Sequence, residues 1–297
     1  MGNDTFDVIM KSDDPAVSVR NLESKSEKFE VPCAEGVMPF RRWTCCAPGC
    51  ETLLLVHGGS GSWTHWYRNI EYLSQRFNVY AVDLPGLGDS AELPAGYRAE
   101  DVVAVVSRGI ASLPGLATFH LVAFSWGCAV SAQLAKSHEL KSLLLLGPAA
   151  LGDIPRRGHM KPLIRRTEDM TAGEIYDANK ENLARLMFYN RERIDDLAVY
   201  LQTSNTNRAR FNSPQFARTT LVLDGVKAIT TPLKVIYGEH DAPAGTRIEQ
   251  RHDLFQSVRS DVEFEIIPDA GHWLQYELSD VFNKKCAQWI EQHAGFC

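Results

Sequence analysis

The stretch FHLVAFSWGCAV, residues 119–130, decides the fold. The largely apolar run Phe119 to Phe124 suits a strand buried on both faces of a sheet, and the residues from Trp126 onward suit a helix. Ser125 therefore sits on a sharp strand-to-helix turn, with Ala123 two residues before it and Gly127 two after. Such a turn strains the serine backbone and admits only small residues at the flanking positions. This is the pattern of a nucleophile elbow, with alanine in the first glycine position. A serine at the amino end of a helix faces backbone N–H groups and the positive end of the helix dipole, which stabilise an oxyanion formed during attack. The amide of Trp126 is the expected first donor.

Outward from this turn the same kind of strand recurs. TLLLV from Thr52, NVYAV from Asn78, SLLLL from Ser142, LKVIY from Leu233 and VEFEII from Val262 are short and apolar, and helical segments near 65–76, 99–113, 126–137, 246–257 and 279–293 separate most of them. The alternation predicts an α/β fold with a mostly parallel sheet and right-handed crossovers. FEVPC near Phe29 and GVMPFRRWTC from Gly36 predict an antiparallel pair in front of it, turning at Ala34-Glu35-Gly36. Residues 1–25 are polar without sustained period and read as a loose extension. Residues 151–230 have helical composition and no strand run, which predicts a helical cap inserted between core segments 26–150 and 231–297.

Composition excludes several functions. The chain has 297 residues and a formal net charge of -6, with 31 Lys and Arg scattered among 37 acids. A nucleic-acid binder needs a basic stripe, which is missing. No run of about 18 apolar residues exists and the start lacks the basic and apolar halves of a signal peptide, so no membrane segment and a cytoplasmic location are expected. Phe6 stands where a myristoylation signal needs Ser or Thr. Seven cysteines, an odd number, suggest reduced thiols. Cys45, Cys46 and Cys50 cluster without the second Cys or His pair that a zinc site needs, and read as exposed thiols in a strand-end turn. The expected partner is a small molecule; homo-oligomerisation stays open.

A serine hydroxyl is a weak nucleophile and needs a base, which in turn needs a carboxylate to fix its tautomer. The strand LKVIY ends in Gly238-Glu239-His240-Asp241, and VEFEII leads into Pro268-Asp269-Ala270-Gly271-His272-Trp273. Ser125, Asp241 and His272 thus follow each other in the chain order that an elbow of this kind requires. The loop His57-Gly58-Gly59-Ser60-Gly61-Ser62 after TLLLV is glycine-rich, which lets its backbone approach a substrate oxygen. Gly59 is the expected second oxyanion donor.

Taken together, HGGSGSWTHW, DLPGLGDS, AFSWG, GEHD and DAGHWLQYE resemble the α/β-hydrolase superfamily over about residues 28 to 293. The resemblance implies a Ser-His-Asp triad of Ser125, His272 and Asp241, an acyl-enzyme, and no metal or organic cofactor. Dehalogenases and epoxide hydrolases place Asp at the elbow, and Ser125 argues against both. In the family the loop aspartates, here Asp83 and Asp89, are structural, and the histidine at position 57 braces the oxyanion loop. Asp153 is a rival acid, because some members take theirs from that strand. His65, His120, His138, His159, His240 and His293 read as structural or exposed.

GHWLQYELSDVFN is similar to the histidine loop of the meta-cleavage product hydrolases, which break a carbon-carbon bond in ring-opened aromatics and line their pocket with the Trp after the histidine, here Trp273. That subfamily has Asn where this chain has Phe124, and a cap arginine to which Arg208, Arg210 and Arg218 are the nearest in sequence. Ser-Trp-Gly also occurs in prolyl aminopeptidases, whose acidic cap residues are not recognisable here. The sequence thus reads as a serine hydrolase of a small, partly apolar ester, thioester or amide, with Ser60, Phe124, Phe188 and Trp273 as candidate pocket residues. Tyr189, Tyr200, Phe211 and Phe216 serve equally as pocket wall or lid core. Carbon-carbon hydrolysis is the alternative within the fold. A ligand-binding receptor or signalling module with the same pocket is the alternative outside catalysis.

Overall fold

The computed structural model describes residues 14–154, 161–245 and 248–295. Eight strands, β1 (Glu27–Cys33), β2 (Gly36–Trp43), β3 (Thr52–Val56), β4 (Asn78–Val82), β5 (Thr118–Phe124), β6 (Glu139–Leu146), β7 (Leu233–Gly238) and β8 (Glu263–Ile267), form one sheet in the order β1-β2-β4-β3-β5-β6-β7-β8. β1 and β2 are antiparallel and turn at Ala34, and β2 joins β4 antiparallel. From β4 to β8 every pairing is parallel. This is the mostly parallel α/β sheet that the strand runs predict, in the arrangement of the α/β-hydrolase fold that the resemblance implies.

Residue alternation explains the layers, because successive side chains of a strand point to opposite faces. Leu54, Val56, Leu143 and Leu145 join one apolar cluster, with Val102 and Val106 of α3 (Ala99–Ser112), Cys128 and Val130 of α4 (Trp126–Leu134) and Phe255 of α8 (Ile248–Val258). Leu53, Leu55, Leu144 and Leu146 join the other, with Ile70 and Leu73 of α2 (Tyr67–Ser74) and Phe282 and Ile290 of α10 (Ser279–Gln292). The central strands are buried on both faces, each large side chain contributing roughly 1.5–3 kcal/mol.

Three departures from the sequence reading concern the periphery. Within the stretch read as a loose extension, Pro15–Glu23 form helix α1; residues 1–13 lie outside the described residues. Asp14 caps it by accepting from the Ala16 amide at 2.8 Å, and Pro15 occupies the first turn, where no amide partner is needed. Leu22 packs into the second cluster and its carbonyl accepts the Trp43 indole N–H at 2.9 Å. Secondly, the stretch read as cap divides. Helices α5 (Ala172–Leu186) and α6 (Asp196–Arg208) pair with each other, whereas α7 (Leu221–Lys227) packs on α4 of the core through Val222 and Val226. A Cβ on Gly225 would lie 2.4 Å from the Ala132 carbonyl oxygen, so glycine allows this close approach. Thirdly, Cys45 and Cys50 are joined as a disulfide rather than free, because their short turn returns to a Cα separation of 6.4 Å; Cys46 is an exposed thiol.

Candidate active site

Parallel strands deliver their loops to one edge of the sheet, and Ser125, Asp241 and His272 follow β5, β7 and β8 there. Ser125 has φ 53° and ψ -115°, the strained turn expected of an elbow. Gly127 is needed there, since a Cβ would meet the carbonyl oxygens of His57 and Val56 at 2.4 and 2.7 Å. The ring of His272 lies between the other two side chains. Its Nδ1 is 2.7 Å from Asp241 Oδ2 and its Nε2 is 3.0 Å from Ser125 Oγ. With the Nδ1–H donated to Asp241, Nε2 is left to accept the serine hydroxyl. Asp241 is buried and its second oxygen accepts from the Ala244 amide at 2.8 Å.

β3 neighbours β5, which brings the glycine loop beside the elbow. Among the described residues the amides of Gly59 and Trp126 donate to no protein acceptor, and a Cβ on Gly59 would come 3.8 Å from the Trp126 Cβ. His57 ties the loop down: Nδ1 bonds the Gly58 carbonyl at 2.7 Å and Nε2 accepts from the Leu84 amide at 2.9 Å. Burial lowers its pKa and keeps it neutral, which the second of those bonds needs. Asp83 accepts from the amides of Trp63 and Asp89 and from Arg41. Asp89 takes Arg41 and Arg208, both at 2.5 Å. Asp153 is exposed, 3.7 Å from Arg218, and joins none of the hydrogen bonds around His272.

The pocket candidates fall differently. Phe124 and Trp273 have no accessible surface. Phe124 packs behind His272, ring centres 4.8 Å apart, and Trp273 donates its indole N–H to the His65 carbonyl at 2.9 Å. Phe188 sets its ring edge-on to Trp273. Among the described residues these three are buried and pack against each other or His272. Ser60 is half-buried at φ 49° after Gly59. Among the described residues a cavity of ≈ 50 Å³ lies beside Ser125 and His272, its wall mixed: apolar Pro148, Ala149, Leu151, Ile154 and Ala217 alongside Tyr237, Asp241 and Arg251. Phe216 stacks on Trp126 and Phe211 lies tilted against it, whereas Tyr189 and Tyr200 are exposed.

Arg208 and Arg210 are held by Asp89 and by the Ser90 carbonyl, and Arg218 is exposed. His65 is fully buried, its Nδ1 accepting from the Gly58 amide at 3.3 Å, and burial with the neighbouring His57 and His272 pushes its pKa well down. His159 lies outside the described residues. Glu239, His240 and Asp269 bring ligand atoms within 4.8 Å of one another, but all are exposed and His240 stacks on Tyr189. No described helix is long and apolar enough to cross a membrane.

Two contributors escaped the sequence reading. Gly147, at φ 48°, sits where a Cβ would come 2.8 Å from Asp241 Oδ2 and 3.0 Å from His272; its position at the end of the SLLLL strand was the available signal. Ser213 places its side chain against Gly59, carrying the cap over the glycine loop; nothing in the local sequence marks it.

Comparison with known proteins agrees with this fold. The chain is similar to a 2-hydroxy-6-oxononadienedioate/2-hydroxy-6-oxononatrienedioate hydrolase of Paraburkholderia phymatum, 27% identical over 297 residues, covering 93% of this chain and 99% of that one. A carboxylesterase from Bacillus subtilis superposes with TM-score 0.69 at 20% identity, covering 93% and 95%. A meta-cleavage product hydrolase from Pseudomonas fluorescens does so with TM-score 0.69 at 17%, covering 90% and 98%. The model of the alpha/beta hydrolase family matches residues 53–284. The chain belongs to the alpha/beta hydrolase family.

Proposed function

We propose that the protein is a serine hydrolase of small, partly apolar carboxylic esters, thioesters or amides, working through an acyl-enzyme on Ser125. The observation that carries this is the hydrogen-bonded series Ser125 Oγ, His272, Asp241 at 3.0 and 2.7 Å beside two unengaged amides. Ser125 attacks the carbonyl carbon while His272 Nε2 takes its proton and Asp241 holds the imidazolium. The N–H groups of Gly59 and Trp126 receive the oxyanion. Collapse expels the leaving group, which takes the proton from His272, and water then releases the acid by the same steps in reverse.

Carbon-carbon hydrolysis is the second reading, supported by the dienedioate hydrolase among the relatives. Against it stand Phe124 beneath His272 and the engagement of Arg208 and Arg210 by the Asp89 loop. Labelling with a fluorophosphonate tests the nucleophile, and absence of an adduct on Ser125 in folded protein refutes it. Assay of 4-nitrophenyl esters of increasing chain length beside ring-opened dienoates, with Ser125→Ala as control, tests the substrate. Turnover of the dienoates alone transfers the assignment to the second reading, and a single stoichiometric burst on the esters points to a receptor.

A further inference from the structure

The cap is bonded to the histidine loop through its backbone, and one buried side chain collects those bonds. Glu277, in the short helix α9 (Leu274–Glu277), is 4% exposed. Its Oε2 accepts the Gly271 amide at 2.7 Å, its Oε1 accepts the Asn190 amide at 2.7 Å, and the Tyr189 amide lies 3.1 and 3.2 Å from the two oxygens. Gly271 immediately precedes His272, whereas Tyr189 and Asn190 belong to the strap that leaves α5. On the other side of His272, the Trp273 amide donates to the Met187 carbonyl at 2.8 Å. Arg193 closes the strap by donating to the Glu277 carbonyl at 2.9 Å. The two backbones are so close that a Cβ on Gly271 would meet Met187 O and Tyr189 N at 2.6 Å.

Both neighbours of His272 are thereby fastened to residues 187–193 of the cap, and a carboxylate suits the junction because it only accepts and offers about four lone-pair sites to the three converging donors. Each of those N–H groups, left without an acceptor in this buried place, would push the strap off the loop. We infer that Glu277 is a positioning residue for the reaction: it makes the placement of His272 against Ser125 depend on the docking of the cap strap 187–193. The inference rests on the reading of His272 as the base. The Glu277 side chain is not part of the hydrogen-bonded series itself and acts through Gly271.

Glu277→Gln tests it, since the amide keeps the shape but turns one acceptor into a donor facing N–H groups. Three measurements are made together: thermal unfolding, kcat and KM on a short 4-nitrophenyl ester, and the low-field proton NMR signal of His272 Nδ1–H, which needs no substrate. The expected result is a folded protein with the low-field signal shifted or lost, kcat reduced about 10- to 100-fold and KM within about threefold, as a displaced reacting group gives. A variant that melts earlier but keeps the signal and a kcat within twofold overturns the inference, leaving Glu277 structural. Should Glu277→Gln not fold, Arg193→Ala decides: it is exposed, loosens the same strap, and is expected to shift the signal and lower kcat severalfold. Wild-type values for both overturn the inference. Activity surviving in Ser125→Ala would instead refute the proposed function, a separate failure.

Discussion

Replacing Asp241 by Asn isolates the part of the site that decides which ring nitrogen is free. Among the described residues two N–H donors face this side chain, His272 Nδ1–H at 2.7 Å and the Ala244 amide at 2.8 Å. The carboxylate accepts both; an amide has one oxygen and one NH₂. If the oxygen stays on Ala244, the NH₂ faces His272 and makes Nδ1 the acceptor, which puts the ring proton on Nε2, where it blocks transfer from Ser125. If the oxygen turns to His272, the NH₂ meets the Ala244 N–H in a buried site, at a cost of about 1–3 kcal/mol. The first arrangement is the lower in energy, and an orienting aspartate changed to asparagine in a comparable triad lowers kcat about 10⁴-fold, or about 5.5 kcal/mol. We expect a drop of roughly 10³ to 10⁴-fold in kcat/KM on a 4-nitrophenyl ester. Asp153→Asn, altering an exposed side chain 3.7 Å from Arg218, is expected to stay within about twofold, as surface ion pairs contribute little. A small effect of Asp241→Asn together with a large one of Asp153→Asn would refute the assignment of the acid.

Gly127→Ala is expected to destabilise the fold by about 1–3 kcal/mol or prevent folding, because the added methyl meets two carbonyl oxygens at 2.4 and 2.7 Å; urea titration reads it, and an unchanged midpoint contradicts the close packing of elbow on glycine loop. The pH dependence of stability follows from His120, which burial holds at a pKa of about 4 instead of 6.5. The unfolded chain therefore binds the extra proton first on acidification, so stability is lost as pH falls from 6.5 through about 4. His57, His65 and His138 shift in the same direction, so His120→Asn should flatten the acid limb in urea without abolishing it; an unaltered limb removes His120 from the account.

The parts of the molecule most legible in sequence were those where chemistry and backbone geometry coincide. Ser125 between Ala123 and Gly127 can be read because a strained turn restricts its own neighbours, and the strands could be read because burial on both faces demands continuous apolar runs. Features that depend on two distant segments were less legible. Helix α1 shows a polar surface with Leu22 as its fully buried residue, so periodicity was faint, although Asp14 and Pro15 carried a capping signal. The division of the cap could not be seen because α7 is specified by what α4 offers it, Ala132 against Gly225. Trp273 and Phe124 were read as pocket wall because local sequence cannot say whether an aromatic ring faces space or the back of a histidine. Glu277 stood within the quoted motif DAGHWLQYE, yet its three donors include two that lie 87 and 88 residues away in sequence.

The buried guanidinium of Arg41 bears on where the folding unit starts. It reaches Glu23 of α1, Asp83 and Asp89, and Asp89 continues to Arg208 at the end of α6. The matched family region begins only at residue 53, and composition alone would invite trimming of everything ahead of β1. A chain cut at Ser26 would lose the Glu23 partner of that guanidinium and the carbonyl that receives the Trp43 indole. It would also uncover the faces of α2 and α6 against which α1 lies. The folding unit is therefore longer at its amino end than its apolar pattern suggests, and a helix that supplies no group to the chemistry is joined by charge to the root of the cap above it.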